Sequence, residues 1–265
     1  MIISQTLFSK EETSLFFRYF LTKMKTASII IIGNEILSGR TLDTNSNYLA
    51  KMLAERGISL QEVRVIPDVH GIIKGVVNNE SSLKDYVFTS GGIGPTHDDI
   101  TAEAIASSFD VPLLVRDDAV ELLAMHYKNG KKDLNAARLR MARIPEGASL
   151  IENKVSGAPG FVIKNVYVMA GVPEVFESMV QEIILDIGSV SPIISKTIKV
   201  FKRESEISEI IWNYADRYKE ISIGSYPFNN SGTFGVEIVV RHTDQILLNK
   251  VFNEILTEFS EPKTN

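Results

Sequence analysis

The sequence contains no cysteine, no excess of basic residues and no long apolar run, and each absence excludes a class of protein. Without cysteine there is no disulfide, no thiolate zinc site and no cysteine nucleophile. Because 28 lysines and arginines face 33 acidic residues, the net charge of −5 gives no sign of a nucleic-acid partner or an anionic membrane. Apolar runs such as residues 27–32 are too short to span a bilayer. We therefore expect a cytoplasmic protein without a nucleic-acid or membrane partner.

The hydrophobic patterning divides the 265 residues into three parts. Residues 1–23 hold an apolar cluster that follows two acidic residues and precedes no cleavage site, so we expect a poorly ordered N-terminal extension rather than a signal peptide. Residues 24–188 alternate strand and helix patterns, which predicts a three-layer α/β/α domain with a mostly parallel sheet. Residues 189–265 predict a smaller α+β domain of the order strand, helix, strand, strand, helix.

The individual helices and strands are predicted from the spacing of the apolar residues and from the turn residues between them. In the larger domain we predict strands at 27–32, 60–66, 86–88, 161–163 and 166–169, and helices at 44–56, at about 100–109 and from Pro173 onward, with two further helical patterns inside 117–142. A further helix follows Asp68, which can cap it, and has Ile72, Ile73, Val76 and Val77 on one apolar face. In the smaller domain we predict strands at 194–201, 221–226 and 234–241, and helices at 206–218 and 244–258.

Polar and glycine residues follow the ends of the first three predicted strands. Glu35 and Asn45 come after the first strand, Asp68 after the second, and the loop of residues 90–99 after the third. The carboxyl ends of parallel strands meet at one edge of the sheet, where α/β proteins bind their ligands. The sequence therefore predicts a rim with several carboxylates and free backbone amides.

This combination favours a phosphorylated ligand. Gly91, Gly92 and Gly94 allow the backbone to approach a phosphate closely, and a helix that begins near Asp99 adds its positive end. Carboxylates beside such a loop repel phosphate unless a divalent cation lies between them, and oxygen ligands suit Mg²⁺ or Mn²⁺. Metal-assisted attack at a phosphate or pyrophosphate is the chemistry that this set of groups indicates.

Each feature also has an alternative interpretation without a ligand. The glycines fit an ordinary turn between a strand and a helix, and Asp68, Asp98 and Asp99 fit helix caps. His97 fits a hydrogen-bonding loop residue better than a metal ligand. The convergence of these residues on one predicted rim is what favours a site.

Four segments, in order along the chain, resemble signatures of the molybdopterin-binding family, in the branch of the competence/damage-inducible protein CinA. They are residues 33–45, with Gly-Asn-Glu-Ile-Leu and Asp-Thr-Asn; residues 89–101, Thr-Ser-Gly-Gly-Ile-Gly-Pro-Thr-His-Asp-Asp-Ile-Thr; residues 153–161, Asn-Lys-Val-Ser-Gly-Ala-Pro-Gly-Phe; and residues 169–174, Met-Ala-Gly-Val-Pro-Glu. The resemblance covers residues 26–187 strongly and residues 190–245 more weakly.

The resemblance implies a three-layer α/β fold that binds molybdopterin or adenylated ligands. It singles out Asp68 and Asp99 as functional aspartates, and it implies a pocket wall of Asn153, Gly157 and Pro159 that Gly171 and Pro173 close. CinA itself continues into an amidase domain, which we expect to be absent from a chain of this length. The module that remains resembles the first domain of eukaryotic FAD synthases, and in that branch it is associated with metal-dependent cleavage of pyrophosphate bonds in ADP-ribose or FAD.

The leading hypothesis is therefore a pyrophosphatase that uses Mg²⁺, Mn²⁺ or Co²⁺ and acts on ADP-ribose- or FAD-like substrates. We assign catalysis to Asp68 and Asp99. The candidate metal ligands are Asp99, Asp98, Asp68 and Glu35, and the candidate substrate and phosphate contacts are Gly91, Gly92, Gly94, Thr96, Asn45, Asn153, Gly157, Pro159, Gly171 and Pro173. The alternatives are molybdopterin adenylyl transfer and binding of a pterin or nucleotide without turnover. The family resemblance also implies a homo-oligomer, a dimer or a trimer.

Overall fold

The computed structural model describes residues 25–187, 192–230 and 232–260, and the N-terminal extension expected for residues 1–23 lies outside them. The described residues fall into two compact units. The first unit contains residues 25–53 and 58–187, and the second contains residues 54–57, 192–230 and 232–260. Within this part of the chain, no helix has both the length and the apolar character needed to cross a membrane.

The first unit is built on a six-stranded sheet with the order β2-β1-β3-β8-β7-β6. The strands are β1 (Thr26–Ile32), β2 (Ser59–Ile66), β3 (Tyr86–Ser90), β6 (Ser149–Ile151), β7 (Gly160–Ile163) and β8 (Val166–Met169). β1, β2, β3 and β8 pair in parallel, and β7 and β6 join in antiparallel fashion. The predicted mostly parallel sheet is confirmed.

Helices cover both faces of this sheet, as the three-layer prediction requires. They are α1 (Asn34–Leu37), α2 (Asn45–Glu55), α3 (His70–Leu83), α4 (Thr101–Ser108), α5 (Asp117–Ala124), α6 (Ala136–Arg140) and α7 (Pro173–Ile183). Successive residues of β1 point to opposite faces, so Ile30 joins a core with Ile73 of α3, while Ile29 joins a second core with Leu49 of α2 and Phe176 of α7. β1 is therefore buried on both sides, which explains why apolar residues dominate it, with only Ser28 interrupting the segment 27–32.

The segment between α4 and β7 contains strands that the sequence patterns did not predict. β4 (Leu113–Val115) and β5 (Arg143–Pro145) form a separate antiparallel pair, and β6 adds an edge to the main sheet. Each of these strands has only three residues, too few for an alternation of period two to stand out. α5 and α6 account for the two helical patterns predicted in this region, and a 3₁₀ turn at Gly130–Asp133 separates them.

The second unit is an open antiparallel sheet with helices on one face. Its strands are β9 (Ile194–Val200), β10 (Ser222–Asn230) and β11 (Thr233–His242), in the order β10-β11-β9, and its helices are α8 (Glu204–Arg217) and α9 (Gln245–Ser260). Alternate residues of β11, such as Val236 and Ile238, share one core with Ile207 of α8 and Val251 of α9. The predicted smaller α+β arrangement is confirmed.

Candidate functional site

The site lies where the carboxyl ends of β1, β2, β3 and β8 meet. The backbone N–H of Gly33, just past β1, donates to the carbonyl of Ile66 at the end of β2 over 3.2 Å. The next N–H, of Asn34, donates to Oδ2 of Asp68 over 2.9 Å. Two of the predicted rim segments are therefore joined directly.

The glycine loop after β3 packs closely against its neighbours. Gly91 has φ +111, and a Cβ on it would overlap the carbonyl oxygen of Ile32 at the end of β1. Gly92 has φ +70, and a Cβ there would overlap the hydroxyl of Thr101 in α4. Both positions need glycine for conformation and for space. The loop is therefore a close-packed segment of fixed shape rather than a tolerant surface turn.

Several amides of this loop are free to meet a ligand. The N–H of Gly91 donates to the carbonyl of Met169 over 3.0 Å, and Gly92 accepts from the N–H of Thr101 over 3.0 Å. Within the described chain, no acceptor takes the N–H groups of Gly92, Ile93 and Gly94. Consecutive free amides are what a phosphate-binding loop offers.

Asp99 shapes the end of the loop and does not cap the next helix. Its Oδ2 accepts from the N–H of Thr96 over 2.7 Å and from the Thr96 hydroxyl over 2.5 Å. α4 begins two residues later, at Thr101, and no side chain caps it. The capping alternative is therefore wrong for Asp99, and Thr96 supports Asp99 instead of lining the cleft. Its neighbour His97 is almost fully exposed.

Asp68 is also not a cap. Helix α3 begins at His70, its N-cap residue is Val69, and no side chain makes a capping hydrogen bond there. The pKa of Asp68 is raised, first because the carboxyl is partly buried and then because the carboxylates of Glu35 and Asp98 repel its charged form. The hydrogen bond from Asn34 opposes this effect without cancelling it. Glu35, Asp68 and Asp98 are thus close enough to feel one another's charge.

A cleft of about 500 Å³ opens between these segments, a volume suited to a small organic ligand. Ten of the sequence-predicted site residues line it: Glu35, Asp68, Gly91, Gly92, Gly94, Asp98, Asp99, Asn153, Gly171 and Pro173. The structure therefore brings together both candidate catalytic aspartates, all four candidate metal ligands and the glycine loop.

Two of the predicted substrate contacts, Asn45 and Asn153, form hydrogen bonds within the walls of the cleft. Asn45 is buried, and its Nδ2 donates to the Ser90 hydroxyl and to the carbonyl of Gly171, each over 2.8 Å. Asn153 is buried as well; its Oδ1 accepts from backbone N–H groups of the following turn, while its Nδ2 donates to Ser156 and Ala158. The Nδ2 groups of both asparagines therefore donate within the protein, whereas Oδ1 of Asn45 is buried without a partner among the described residues.

Gly157 and Pro159 lie behind the cleft wall. A Cβ on Gly157, which has φ +73, would overlap the imidazole of His126, so this glycine is required by packing. Pro159 borders a side chamber of about 10 Å³, room for roughly one water molecule, which shares Gly92, Gly94 and Asp99 with the cleft.

The carboxylates of the cleft are candidate oxygen ligands for a divalent cation. In the described ranges, no three acidic or histidine side chains are arranged as a ready metal cage. Mg²⁺ typically uses one or two carboxylates and completes its shell with water and substrate phosphate oxygens. Asp68, with its charged neighbours Glu35 and Asp98, fits an ion of that kind, because a cation would relieve the repulsion that raises the pKa of Asp68.

Sequence reasoning missed several residues at this site. The cleft also contains Thr41, Met141, Ser156, Ala158 and Val172, and the chamber contains Arg140 and Arg143. Thr41, Ser156, Ala158 and Val172 lie inside or beside the four motifs, so proximity to a motif could have indicated them. The arginines lie about 40 residues from the glycine loop in sequence, and only the β4–β5 pair and α6 bring them there.

The fold and the site together define a class of protein: an α/β domain with a glycine loop and carboxylates at the ends of its strands. A model of the family "Probable molybdopterin binding domain" matches residues 28–190, more than half of the chain, so the chain belongs to that family. A model of the "FAD synthase, middle domain" matches residues 192–264.

Individual proteins agree with these matches. A CinA-like protein of Sulfurihydrogenibium sp. is 37% identical over 159 residues, 58% of this chain and 40% of that protein. A probable FAD synthase of Caenorhabditis briggsae is 31% identical over 240 residues, 82% of this chain and 46% of that protein. This chain thus spans less than half the length of either of these two curated relatives.

A solved structure supports the fold. The crystal structure of the protein CinA with unknown function from Thermoplasma acidophilum is 36% identical, with a TM-score of 0.58, and the match covers 62% of this chain and 98% of that one. The first unit is thus a CinA-like member of the molybdopterin-binding family.

Proposed function

We propose that this protein is a divalent-metal-dependent nucleotide pyrophosphatase acting on ADP-ribose- or FAD-like substrates. One observation carries the proposal: Asp68, whose pKa is raised, lines the same cleft as a glycine loop with free amides. A carboxylate with a raised pKa is a better proton acceptor, and free amides suit phosphate oxygens. The two halves of a phosphate-cleaving site therefore share one cleft.

The nucleotide character of the substrate has separate support. The second unit matches the middle domain of FAD synthases, and a probable FAD synthase is among the relatives. ADP-ribose and FAD both contain a pyrophosphate linked to adenosine. A cleft of about 500 Å³ is large enough for such a group.

In the proposed mechanism, the amides of the glycine loop hold the pyrophosphate and Asp68 accepts a proton from the attacking water. The water oxygen forms a bond to one phosphorus, the bond from that phosphorus to the bridging oxygen breaks, and the bridging oxygen leaves with the electron pair on the other phosphate. Asp99 keeps the loop in shape through Thr96. When bound, a Mg²⁺, Mn²⁺ or Co²⁺ would be held by Glu35, Asp98 or Asp99 beside Asp68, whose carboxylate would remain available for the proton, and the cation would supply positive charge that offsets the negative charge on the phosphate oxygens.

The test is an incubation of the purified protein with ADP-ribose or FAD, with each of the three cations or with a chelator. We expect AMP together with ribose 5-phosphate or FMN, only when a cation is present. Unchanged substrate in every mixture, with protein whose folding is verified by circular dichroism, would reject the proposal.

Transfer of an adenylyl group to molybdopterin is the second candidate, because the family model that matches is a molybdopterin-binding one. The same incubation separates the two when ATP and molybdopterin replace ADP-ribose, since transfer gives adenylylated pterin and pyrophosphate. Binding of pterin or nucleotide without any product would favour the third alternative, a non-catalytic binding protein.

We also propose that the protein assembles as a dimer or trimer. β2 is an edge strand of the main sheet, and it exposes Val63 and Val65 on one face; Val69 and Ile72, which follow it in sequence, are exposed as well. Exposed apolar edges of this kind are commonly covered in assemblies. Sedimentation at the 29.5 kDa of one chain would contradict this.

A further inference from the structure

The cleft contains an unbalanced set of charges. Glu35, Asp68, Asp98 and Asp99 line it, and no lysine or arginine is among its lining residues in the part of the chain that the structure describes. Neutral amides and one divalent cation leave a pyrophosphate group facing several carboxylates. A ligand with two phosphates therefore needs a further positive group close to the glycine loop.

The side chamber behind the loop supplies two candidates. Arg140 and Arg143 line this chamber together with Gly92 and Gly94, which also line the cleft. Arg143 is already neutralised, because its Nη1 lies 2.5 Å from Oε1 of Glu103. It therefore has little charge to offer a ligand.

Arg140 is not neutralised in this way. Its Nη2 donates to the backbone carbonyl of Asp99 over 3.2 Å, and among the described residues no carboxylate forms an ion pair with it. Its Nε, like that of Arg143, is buried without a hydrogen-bond acceptor among the described residues. Arg140 therefore has unused hydrogen-bond donors and a positive charge without a carboxylate partner among the described residues, next to the glycine loop.

The local structure holds Arg140 at this place. It is the last residue of α6, whose first turn is capped by Asn135 through a 2.9 Å bond from the N–H of Arg138. Arg138, two residues earlier, points elsewhere: it donates to the carbonyl of Asp133 and lies 4.2 Å from the ring centre of Tyr127. The helix therefore directs one arginine toward the glycine loop and the other away from it.

We infer that Arg140 is a substrate-binding residue that contacts the diphosphate of a ligand held by the glycine loop. The inference rests on the proposed function for the kind of ligand, a nucleoside diphosphate group, but it does not require that the ligand be hydrolysed. The guanidinium offers the paired donors that phosphate oxygens accept, which a point charge does not match.

The experiment compares Arg140→Met, Arg140→Lys and the matched control Arg138→Met by calorimetric titration with ADP and with adenosine. We expect Arg140→Met to weaken ADP binding by about 10- to 100-fold, the loss typical of a charged hydrogen bond. Arg140→Lys restores part of the affinity because it keeps the charge. Adenosine binding stays unchanged in every variant, which a collapsed cleft would not allow, and Arg138→Met binds ADP as the parent does.

The outcomes separate this inference from the proposed function. ADP binding by Arg140→Met and Arg140→Lys that equals the parent's would overturn the role of Arg140 even if ADP-ribose is hydrolysed. Arg140-dependent ADP binding without hydrolysis of any pyrophosphate would leave the inference standing and reject the pyrophosphatase. A parent protein that binds no ADP would reject both. If Arg140→Met fails to fold, Arg140→Lys, which keeps a side chain of similar length, replaces it in the test. A lower ratio of ADP affinity to adenosine affinity than in the parent would support the role of Arg140, and an equal ratio would overturn it.

Discussion

The carboxylate of Asp68 accepts the backbone N–H of Asn34 over 2.9 Å, and this bond joins the loop after β2 to the loop after β1. The same carboxyl is partly buried and lies near Glu35 and Asp98, and for these reasons its pKa is raised. Asp68 therefore stabilises the rim through its hydrogen bond, whereas burial and the neighbouring carboxylates destabilise its charged form. A residue whose charge opposes folding is a candidate for function.

Replacement of Asp68 should lower activity without lowering stability. Asp68→Asn can still accept the bond from Asn34, but it cannot accept a proton from water, so we expect turnover of ADP-ribose to fall by about 10²- to 10⁴-fold. Asp117→Asn is the matched control, because Asp117 is exposed in the first turn of α5, outside the cleft lining. Equal turnover in the parent and Asp68→Asn would contradict the catalytic assignment.

The pH dependence of stability gives a second readout for Asp68. Its pKa is higher in the folded protein, so the folded state binds the proton more tightly than the unfolded chain does. That contribution is fully present below the unfolded pKa and is lost as pH rises through the raised folded value. The free energy of unfolding of Asp68→Asn, measured in urea, should therefore match or exceed that of the parent at neutral pH. A clear loss of stability there would contradict the raised pKa.

Asp85 should show the opposite sign. Its carboxylate accepts from Lys25 Nζ over 2.7 Å and from the backbone and hydroxyl of Thr26, and these bonds lower its pKa to about 2. The stabilisation is present above the unfolded pKa and is lost as pH falls through the folded value. Asp85→Asn should be less stable than the parent at neutral pH, and the difference should shrink between about pH 4 and pH 2. A pH-independent difference in urea unfolding would contradict this.

Two glycines should respond to alanine in opposite directions. At Gly91, alanine must adopt φ +111 and overlap the Ile32 carbonyl, so we expect a loss of more than about 2 kcal/mol of unfolding free energy. Gly75, inside α3, has open space around its Cα, and alanine should stabilise the protein by about 0.5–1 kcal/mol. Urea denaturation measures both. A neutral Gly91→Ala would mean that the loop can rearrange and is not of fixed shape.

The rim was predictable from the sequence because it depends on backbone rules. Buried apolar runs located β1 and β3, Pro173 marked the first turn of α7, and the glycines marked a loop that other residues cannot form. In a parallel sheet, the carboxyl ends of the strands lie at the same edge, so placing the strands also placed Asp68, after β2, and the glycine loop, after β3, on the same rim on either side of β1.

What could not be predicted depends on tertiary packing. The direction of the Asn45 side chain is set by Ser90 and Gly171, which lie 45 and 126 residues away in sequence. The position of Arg140 depends on α6 and on the three-residue strands β4 and β5, which have too few residues for a periodic signal. Asp68 and Asp99 fit the preference for helix caps, yet their carboxylates accept hydrogen bonds from the N–H groups of Asn34 and Thr96.

Asn45 should contribute to activity through position rather than through contact with substrate. Asn45→Ala removes both donors from the Ser90 hydroxyl and the Gly171 carbonyl, so we expect a loss of about 1–3 kcal/mol of unfolding free energy. Because Gly171 lines the cleft, the variant should also lower kcat/KM for ADP-ribose. Asn165, at the turn between β7 and β8, is the matched control. Its Nδ2 also donates to two carbonyls, those of Ser81 and Lys84.

The two asparagine variants should lose stability to a similar degree and differ in activity. Asn165→Ala should keep the kcat/KM of the parent when rates are referred to folded protein, whereas Asn45→Ala should not. If the two variants had the same kcat/KM, the bond from Asn45 to Gly171 would not control the shape of the cleft. Comparison of their urea midpoints with steady-state rates at a temperature where both are folded decides between these outcomes.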